Sequence, residues 1–226
     1  IPENAEKPAR SNGKKMPVKT LLSILQEEKR TQYAGGIYHK TQIELTYNSN
    51  HIEGSTLSEE QTRRIFETNT LGAEDNLAVD DIIETVNHFR AIDYCIEVAE
   101  EALSEEIIKH LHYLLKMRTQ AEKLAWFQIG DYKQRPNVVG GTKTSAPKEV
   151  PAAMKALIAA YLEKDTASLA DIIEFHYRFE KIHPFQDGNG RVGRLIAFKE
   201  CIKHNLVPFI IEDRKKYYYY RGLKEY

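Results

Sequence analysis

The sequence predicts an all-α fold that carries one β-hairpin, and three observations support this. Apolar residues recur at helical spacing through most of the 226 residues. Capping residues and helix breakers separate these stretches. Residues 130–147 predict the hairpin, because Gly140-Gly141 lies between Val138-Val139 and Thr142, as in a hairpin turn. With 42% hydrophobic residues, the chain can bury a substantial core.

The N-terminal region, residues 17–76, is expected to be helical and to follow a flexible tail at 1–16. The tail is polar and lacks a hydrophobic period. Gly35-Gly36 interrupts the first helical pattern, and Thr56 with Glu59 has the spacing of a capping box. The expected elements of this region are helices at 18–32, 39–52 and 57–68 and a loop at 69–76.

The remaining residues, 77–226, are expected to form the main helical core. The longest apolar period runs over 78–100, and Ser104 has the position of an N-cap for the helix after it. Further helices are expected at 148–163, 168–182, 190–204 and from Tyr217 onward.

The composition argues against nucleic acid or a membrane as the partner of this chain. The net charge is −1, so no strong basic field favours nucleic acid or a membrane surface as partner. No apolar stretch of about twenty residues is present to span a bilayer. The two cysteines, Cys95 and Cys201, both lie in apolar helical patterns, which is typical of free thiols in a cytoplasmic protein.

The run His183-Pro-Phe-Gln-Asp-Gly-Asn-Gly-Arg-Val-Gly-Arg194 has the composition of a polyphosphate site. Its glycines allow backbone N–H groups to converge on an anion at a helix start. Arg191 and Arg194 are three residues apart, so both can reach one ligand on the same helix face. Asp187 can hold a divalent cation, and His183 can accept a proton near neutral pH.

This run resembles the signature of Fic-domain proteins, His-x-Phe-x-[Asp/Glu]-Gly-Asn-Gly-Arg-x-x-Arg, at every defined position. Most such proteins transfer AMP from ATP to a hydroxyl side chain of a target protein. The resemblance implies that His183 is the general base, that Phe185 anchors the loop and that Asp187 binds Mg2+. It assigns the α/β-phosphates to Arg191 and the γ-phosphate to Arg194. The nucleotide contacts that it implies along this segment are Asp187, Gly188, Asn189, Gly190, Arg191, Val192, Gly193 and Arg194.

The resemblance extends to the hairpin, because Gly130-Asp-Tyr-Lys133 matches the family's Gly-x-Tyr-[Arg/Lys] lead-in. It implies that residues 130–147 form a flap on which a target protein docks as an added strand. Val138, Val139 and Gly140 would contact the nucleotide from this side. Without the motif, an ordinary surface hairpin would explain the same residues.

Upstream, Ser49, Glu53 and Gly54 fill the family's inhibitory pattern [Ser/Thr]-x-x-x-Glu-[Gly/Asn]. The resemblance implies a bidentate salt bridge from Glu53 to Arg194, which would keep the guanidinium from the γ-phosphate. A helix that simply stops at Gly54 is the alternative explanation. Glu53 could also position a water molecule for removal of AMP.

Other interpretations remain open at this point. A relative of the same fold could use another donor, such as UMP, phosphocholine or phosphate, and a non-catalytic module could only sense nucleotide. His176, Glu180 and His183 could share one helix face as a metal site, although Pro184 is expected to end that helix.

Three further expectations concern the end of the chain and its assembly. Tyr219 aligns with a nucleotide-contacting tyrosine of some relatives. Those relatives also carry a later asparagine that this sequence lacks, so the C-terminus is expected to be truncated. The sequence leaves open whether the chain forms a homodimer.

Overall fold

The computed structural model describes residues 19–72, 76–139 and 142–225. Most of these residues are helical, as the sequence predicts. The helices are α1 (Leu21–Thr31), α2 (Ile37–Ile52), α3 (Glu59–Thr68), α4 (Val79–Glu97), α5 (Glu105–Lys116), α6 (Val150–Leu162), α7 (Leu169–Ile182), α8 (Asn189–Lys203) and α9 (Lys216–Glu225).

Helix α8 lies at the centre of the fold. Helices α4, α5 and α7 pack against it, and nearly every residue from 191 to 202 is buried. Its apolar face, with Leu195, Ile196, Phe198 and Ile202, is buried in the core. The opposite face is buried as well because its polar residues have partners: the buried Lys199 and Glu200 pair at 2.7 Å, and the Tyr161 hydroxyl donates to Glu200.

Capping residues begin several helices, and one predicted cap is wrong. Ser104 caps α5, as expected. The capping box of α3 is formed by Ser58 and Gln61 rather than by Thr56 and Glu59. Thr56 is instead bound through its backbone N–H and its hydroxyl to Asp81 on α4, so a tertiary contact decides where α3 begins.

The hairpin lies between α5 and α6. Strands β1 (Val138–Val139) and β2 (Thr142–Lys143) pair antiparallel, with Val138 opposite Lys143. Gly140, the predicted turn residue, lies outside the described residues, as do the expected tail at 1–16 and part of the expected loop at 69–76. Both cysteines are buried free thiols. Among the helices of the described segments, none is both long enough and apolar enough to cross a membrane.

Candidate functional site

His183 terminates α7 in a conformation that few non-glycine residues adopt. Its backbone lies in the left-handed region, with φ 51° and ψ 62°, and its N–H donates to the Phe179 carbonyl. Pro184 follows and cannot continue the helix. The imidazole thus belongs to the first residue of the loop 183–188. Its pKa is lowered to about 4 by burial and by the Lys133 cation, so the ring is neutral at physiological pH.

The loop 183–188 is closed by one buried side chain. The Asn189 amide oxygen accepts the Phe185 N–H, and the Asn189 NH2 group donates to the Phe185 carbonyl, both at 2.8 Å. The Asn189 side chain is therefore committed to the loop rather than to a ligand. Gly188, with φ 79°, is the N-cap of α8. The N–H groups of the first turn of α8 have no partner within the helix, and such a helix start can bind an anion.

His112 on α5 packs against the loop 183–188 and forms a hydrogen bond with it. Its ring stacks on Phe185, with centroids 4.0 Å apart and planes 6° apart. Its Nδ1 accepts the Gly130 N–H, so Nε2 carries the proton that is donated to the Asp187 carbonyl at 3.2 Å. Burial and the nearby Lys116 cation lower the His112 pKa to about 3, which keeps the ring neutral and this pattern fixed.

Asp187 belongs to a network of four charged side chains. Its carboxylate lies 2.7 Å from Lys116 and 3.6 Å from Arg191, and Glu84 on α4 bridges the same two cations. Although burial works in the opposite direction, Lys116 and Arg191 hold the Asp187 pKa well below its usual range. The sequence assigned Arg191 to the α/β-phosphates. Here its guanidinium is buried and bound to carboxylates.

Arg194 is held by the end of α2. Its Nε donates to the Ser49 hydroxyl and one terminal nitrogen donates to the Ser49 carbonyl, both at 2.9 Å. The same nitrogen contacts one Glu53 oxygen at 2.7 Å. The contact with Glu53 is thus through a single oxygen and not bidentate as predicted, because the Ser49 oxygens take up the rest of that edge. Gly54 follows with φ 99° and ends the helical segment.

These elements surround a cavity of about 1000 Å³. Of the predicted site residues that the structure describes, it brings together on the cavity wall Glu53, Val138, Val139, His183, Gly190, Arg194 and Tyr219. Val192 instead points into the core, and Gly193 faces His176 and Glu180. The Tyr219 hydroxyl is 2.8 Å from the His176 Nε2.

His176 and Glu180 pack against Gly193 of α8, with Glu180 also on the cavity wall, and they do not form a metal site with His183. No group of three His, Cys, Asp or Glu side chains is arranged to hold a metal ion among the residues that the structure places. Burial, together with repulsion from Glu53, raises the Glu180 pKa to about 8, against the attraction of Arg194. The Glu180 carboxyl is therefore largely protonated at neutral pH, and it lies 3.7 Å from the His183 ring.

The sequence did not assign functions to Glu84, His112, Lys116 and Lys133, which the structure places around the loop 183–188. The sequence did contain an indication that His112 and Lys116 on α5 have specific partners. His112 and Lys116 lie four residues apart and follow Leu111 and Leu115 on the apolar face of α5. Polar residues on a buried helix face are usually paired with something specific.

The fold and the site together define a class: a helical protein in which a neutral histidine and a glycine-rich helix start share one cavity with a hairpin. Residues 102–200 match the Fic/DOC family model, so the chain contains a Fic domain. A Fic domain-containing signaling protein from Bacteroides thetaiotaomicron has a similar structure, with a TM-score of 0.74 and 26% identity over 90% of this chain and 80% of that one. Fic-1 from C. elegans, at 21% identity and a TM-score of 0.68, shares the fold over 90% of this chain and 62% of its own.

Relatives in animals carry a functional name. A protein from Nematostella vectensis named "Protein adenylyltransferase Fic" is 32% identical over 187 residues, which are 77% of this chain and 41% of that protein. A protein of the same name from Drosophila melanogaster is 27% identical over 79% of this chain and 36% of its own length. The present chain thus spans less than half the length of these two relatives.

Proposed function

We propose that this chain transfers AMP from ATP to a Tyr, Thr or Ser hydroxyl of a target protein and of itself. The observation that carries the proposal is the single cavity shared by the neutral His183 imidazole, the first turn of α8 and the Arg194 side chain. A base, a phosphate cradle and a cation for the terminal phosphate are the groups that this transfer needs.

In the proposed reaction His183 accepts the proton of the target hydroxyl as its oxygen attacks the α-phosphorus. A new P–O bond forms, the bond to the bridging α,β-oxygen breaks, and pyrophosphate leaves. The N–H groups at the start of α8 stabilise negative charge on the phosphates as it develops. The hairpin, whose Val138 and Val139 are exposed, would hold the target segment as an added strand.

Asp187 fits a magnesium site. Its carboxylate is ionised and about half exposed, and Mg2+ in such sites takes one or two carboxylates and completes its shell with water and phosphate oxygens. Bound there, Mg2+ would neutralise charge on the phosphates of ATP. The Lys116 ammonium already contacts this carboxylate, so it competes with the metal and also keeps the carboxylate ionised.

We further propose that Glu53 inhibits the enzyme. With Arg194 held by Ser49 and Glu53, that side of its guanidinium is occupied and is not available to the γ-phosphate, so ATP would bind with its α-phosphate out of line with the incoming hydroxyl. The backbone also leaves little room beside this contact, because a Cβ on Gly190 would lie 2.2 Å from the Glu53 carboxylate.

Mass spectrometry after incubation with ATP and Mg2+ tests the function. We expect little added AMP on the wild-type chain, a strong increase with Glu53→Gly, and none with the double variant Glu53→Gly, His183→Ala. A Glu53→Gly protein no more active than wild type would contradict the inhibitory role. ATP binding without any transfer by Glu53→Gly would identify a nucleotide-sensing module instead.

The donor is tested in the same format. Glu53→Gly is incubated with ATP, UTP and CDP-choline, and the mass added to the protein identifies the group transferred. In a separate experiment, adenylylated protein is incubated with the wild-type chain in the absence of ATP. Loss of AMP from the adenylylated protein would show that Glu53 supports removal.

A further inference from the structure

Lys133, at the start of the flap, is a buried lysine. Only 3% of it is exposed, and its ammonium group donates to three neutral oxygens: the Asn137 amide and the Thr144 hydroxyl, both at 2.7 Å, and the Ile182 carbonyl at 3.3 Å. Among the residues that the structure describes, no carboxylate forms a salt bridge with it. Burial lowers its pKa to about 8. A buried cation costs free energy, so this arrangement calls for a functional reason.

Two contacts of Lys133 enclose the backbone of His183. The ammonium group binds the carbonyl of Ile182, the residue before His183. The Lys133 N–H donates to the carbonyl of Pro184, the residue after it, at 2.8 Å. The backbone between these two carbonyls is the left-handed one of His183, which costs energy for a residue with a Cβ. Lys133 thus holds the strained turn on both sides.

The other two contacts of Lys133 reach both ends of the hairpin. Asn137 directly precedes β1 and Thr144 directly follows β2, and the Thr144 hydroxyl also donates to the Asn137 carbonyl at 3.2 Å. The Asn137 NH2 group donates to the Phe185 carbonyl at 3.0 Å. The base of the flap is therefore attached to the end of α7 and the loop 183–188 by the Lys133 ammonium group and the Asn137 amide, together with the N–H groups of Lys133 and Arg135.

We propose that Lys133 is a positioning residue that fixes the flap and the His183 imidazole in one geometry, so that a hydroxyl held by the flap meets the base. The inference rests on the proposed function, because it assigns the flap to the target and His183 to proton transfer. Such positioning keeps the target hydroxyl and the imidazole correctly oriented. This matters because misplacing a reacting group by about 1 Å costs on the order of a hundredfold in rate.

The Lys133 charge has a second effect on the same histidine. The charged groups that act on the His183 ring are Lys133, Glu53 and Asp187, and Glu180 acts through its backbone while its carboxyl lies 3.7 Å from the ring. Of these, Lys133 is the one that lowers the His183 pKa by its charge. Removing the ammonium group should therefore raise that pKa, whereas a purely structural role predicts no such change.

The experiment compares Lys133→Met and Lys133→Arg, each in the Glu53→Gly background, with Lys148→Met as a control for loss of an exposed flap-side cation. For Lys133→Met we expect kcat to fall about a hundredfold with the KM for ATP unchanged, partial rescue by arginine, and no effect of Lys148→Met. A fall in kcat smaller than threefold would overturn the proposal.

Two measurements do not depend on activity. An NMR titration of the histidine rings should give a higher His183 pKa in Lys133→Met, and hydrogen exchange should be faster at residues 142–146. Unchanged values for both would overturn the inference even if activity were lost. If Lys133→Met does not fold, Thr144→Val removes one ligand of the ammonium group and should likewise speed exchange in the flap. Absence of AMP transfer by every variant would refute the proposed function and leave these two measurements to decide the role of Lys133.

Discussion

Single residues set the geometry of this site through the side chains that they carry and, at glycine, through the absence of a side chain. Gly193 on α8 faces the side chains of His176 and Glu180. A Cβ there would lie 2.6 Å from a Glu180 oxygen and 2.8 Å from the His176 Nδ1. The glycine therefore lets two polar side chains pack against the central helix.

Gly193→Ala should destabilise the protein by about 1–3 kcal/mol, because the added methyl group overpacks a buried site. Gly222→Ala is the matched control. Gly222 is an exposed helical position of α9 with nothing within 4 Å of an added Cβ, so alanine there should stabilise by up to about 1 kcal/mol. Urea unfolding followed by circular dichroism measures both changes. Equal stability of the two variants would show that the packing around Gly193 can relax at no cost.

At the scale of elements, the C-terminal segment holds the proposed inhibitory helix α2 in place. The Asp213 N–H donates to the Asn48 side chain at 2.9 Å, and the Asp213 carboxylate lies 2.9 Å from the His51 ring. Further along, the Tyr220 hydroxyl donates to the Ile52 carbonyl at 3.2 Å. These contacts surround the turn that carries Glu53.

Tyr220→Phe should consequently raise AMP transfer by the otherwise wild-type chain, by about fivefold if the lost hydrogen bond is worth about 1 kcal/mol. The increase should be smaller than that of Glu53→Gly, which removes the inhibitory contact itself. Arg214→Ala, which alters an exposed residue of the same segment, serves as the control. The rate of AMP incorporation measures all three, and a Tyr220→Phe rate equal to that of Arg214→Ala would contradict this role of α9.

At the scale of the whole molecule, the free energy of unfolding depends on pH through buried titratable groups. In four histidines, burial first and then neighbouring cations lower the pKa below the unfolded value of about 6.5. These histidines are His88, His112, His176 and His183. The unfolded chain binds more protons than the folded one below that pH, so the free energy of unfolding decreases as the pH falls from about 6.5 toward 4. Glu180, whose pKa is raised to about 8, has the opposite effect, and its stabilisation is lost as the pH rises toward 8.

We therefore expect the free energy of unfolding to be highest near pH 6.5 and to fall more steeply on the acid side. Scanning calorimetry between pH 4.5 and 8, within the window set by these pKa shifts, measures the curve. His88→Asn should reduce the acid slope, and Glu180→Gln should flatten the curve between about 6.5 and 8. A stability that stays constant from pH 6.5 to 4.5 would show that these histidines titrate normally in the folded state.

Much of this architecture could be predicted from local patterns. Helical spacing located the helices to within a few residues, because packing an amphipathic face requires that period. The glycine pair between two valines located the hairpin. The start of α3 was misplaced because Thr56 finds its partner on α4, and no local pattern contains that contact.

The sequence by itself determined that a histidine, a glycine-rich turn and two arginines lie within one short segment, because covalent neighbours stay close in any fold. Tertiary structure decided what those groups contact. It bound Arg191 to Glu84, brought Ser49 and Glu53 onto Arg194, and placed Lys133 between the flap and His183. Apart from the contacts of Lys133 within the flap, each of these contacts joins residues separated by about fifty positions or more in the chain, and only the packing of the helices around α8 fixes which charges meet.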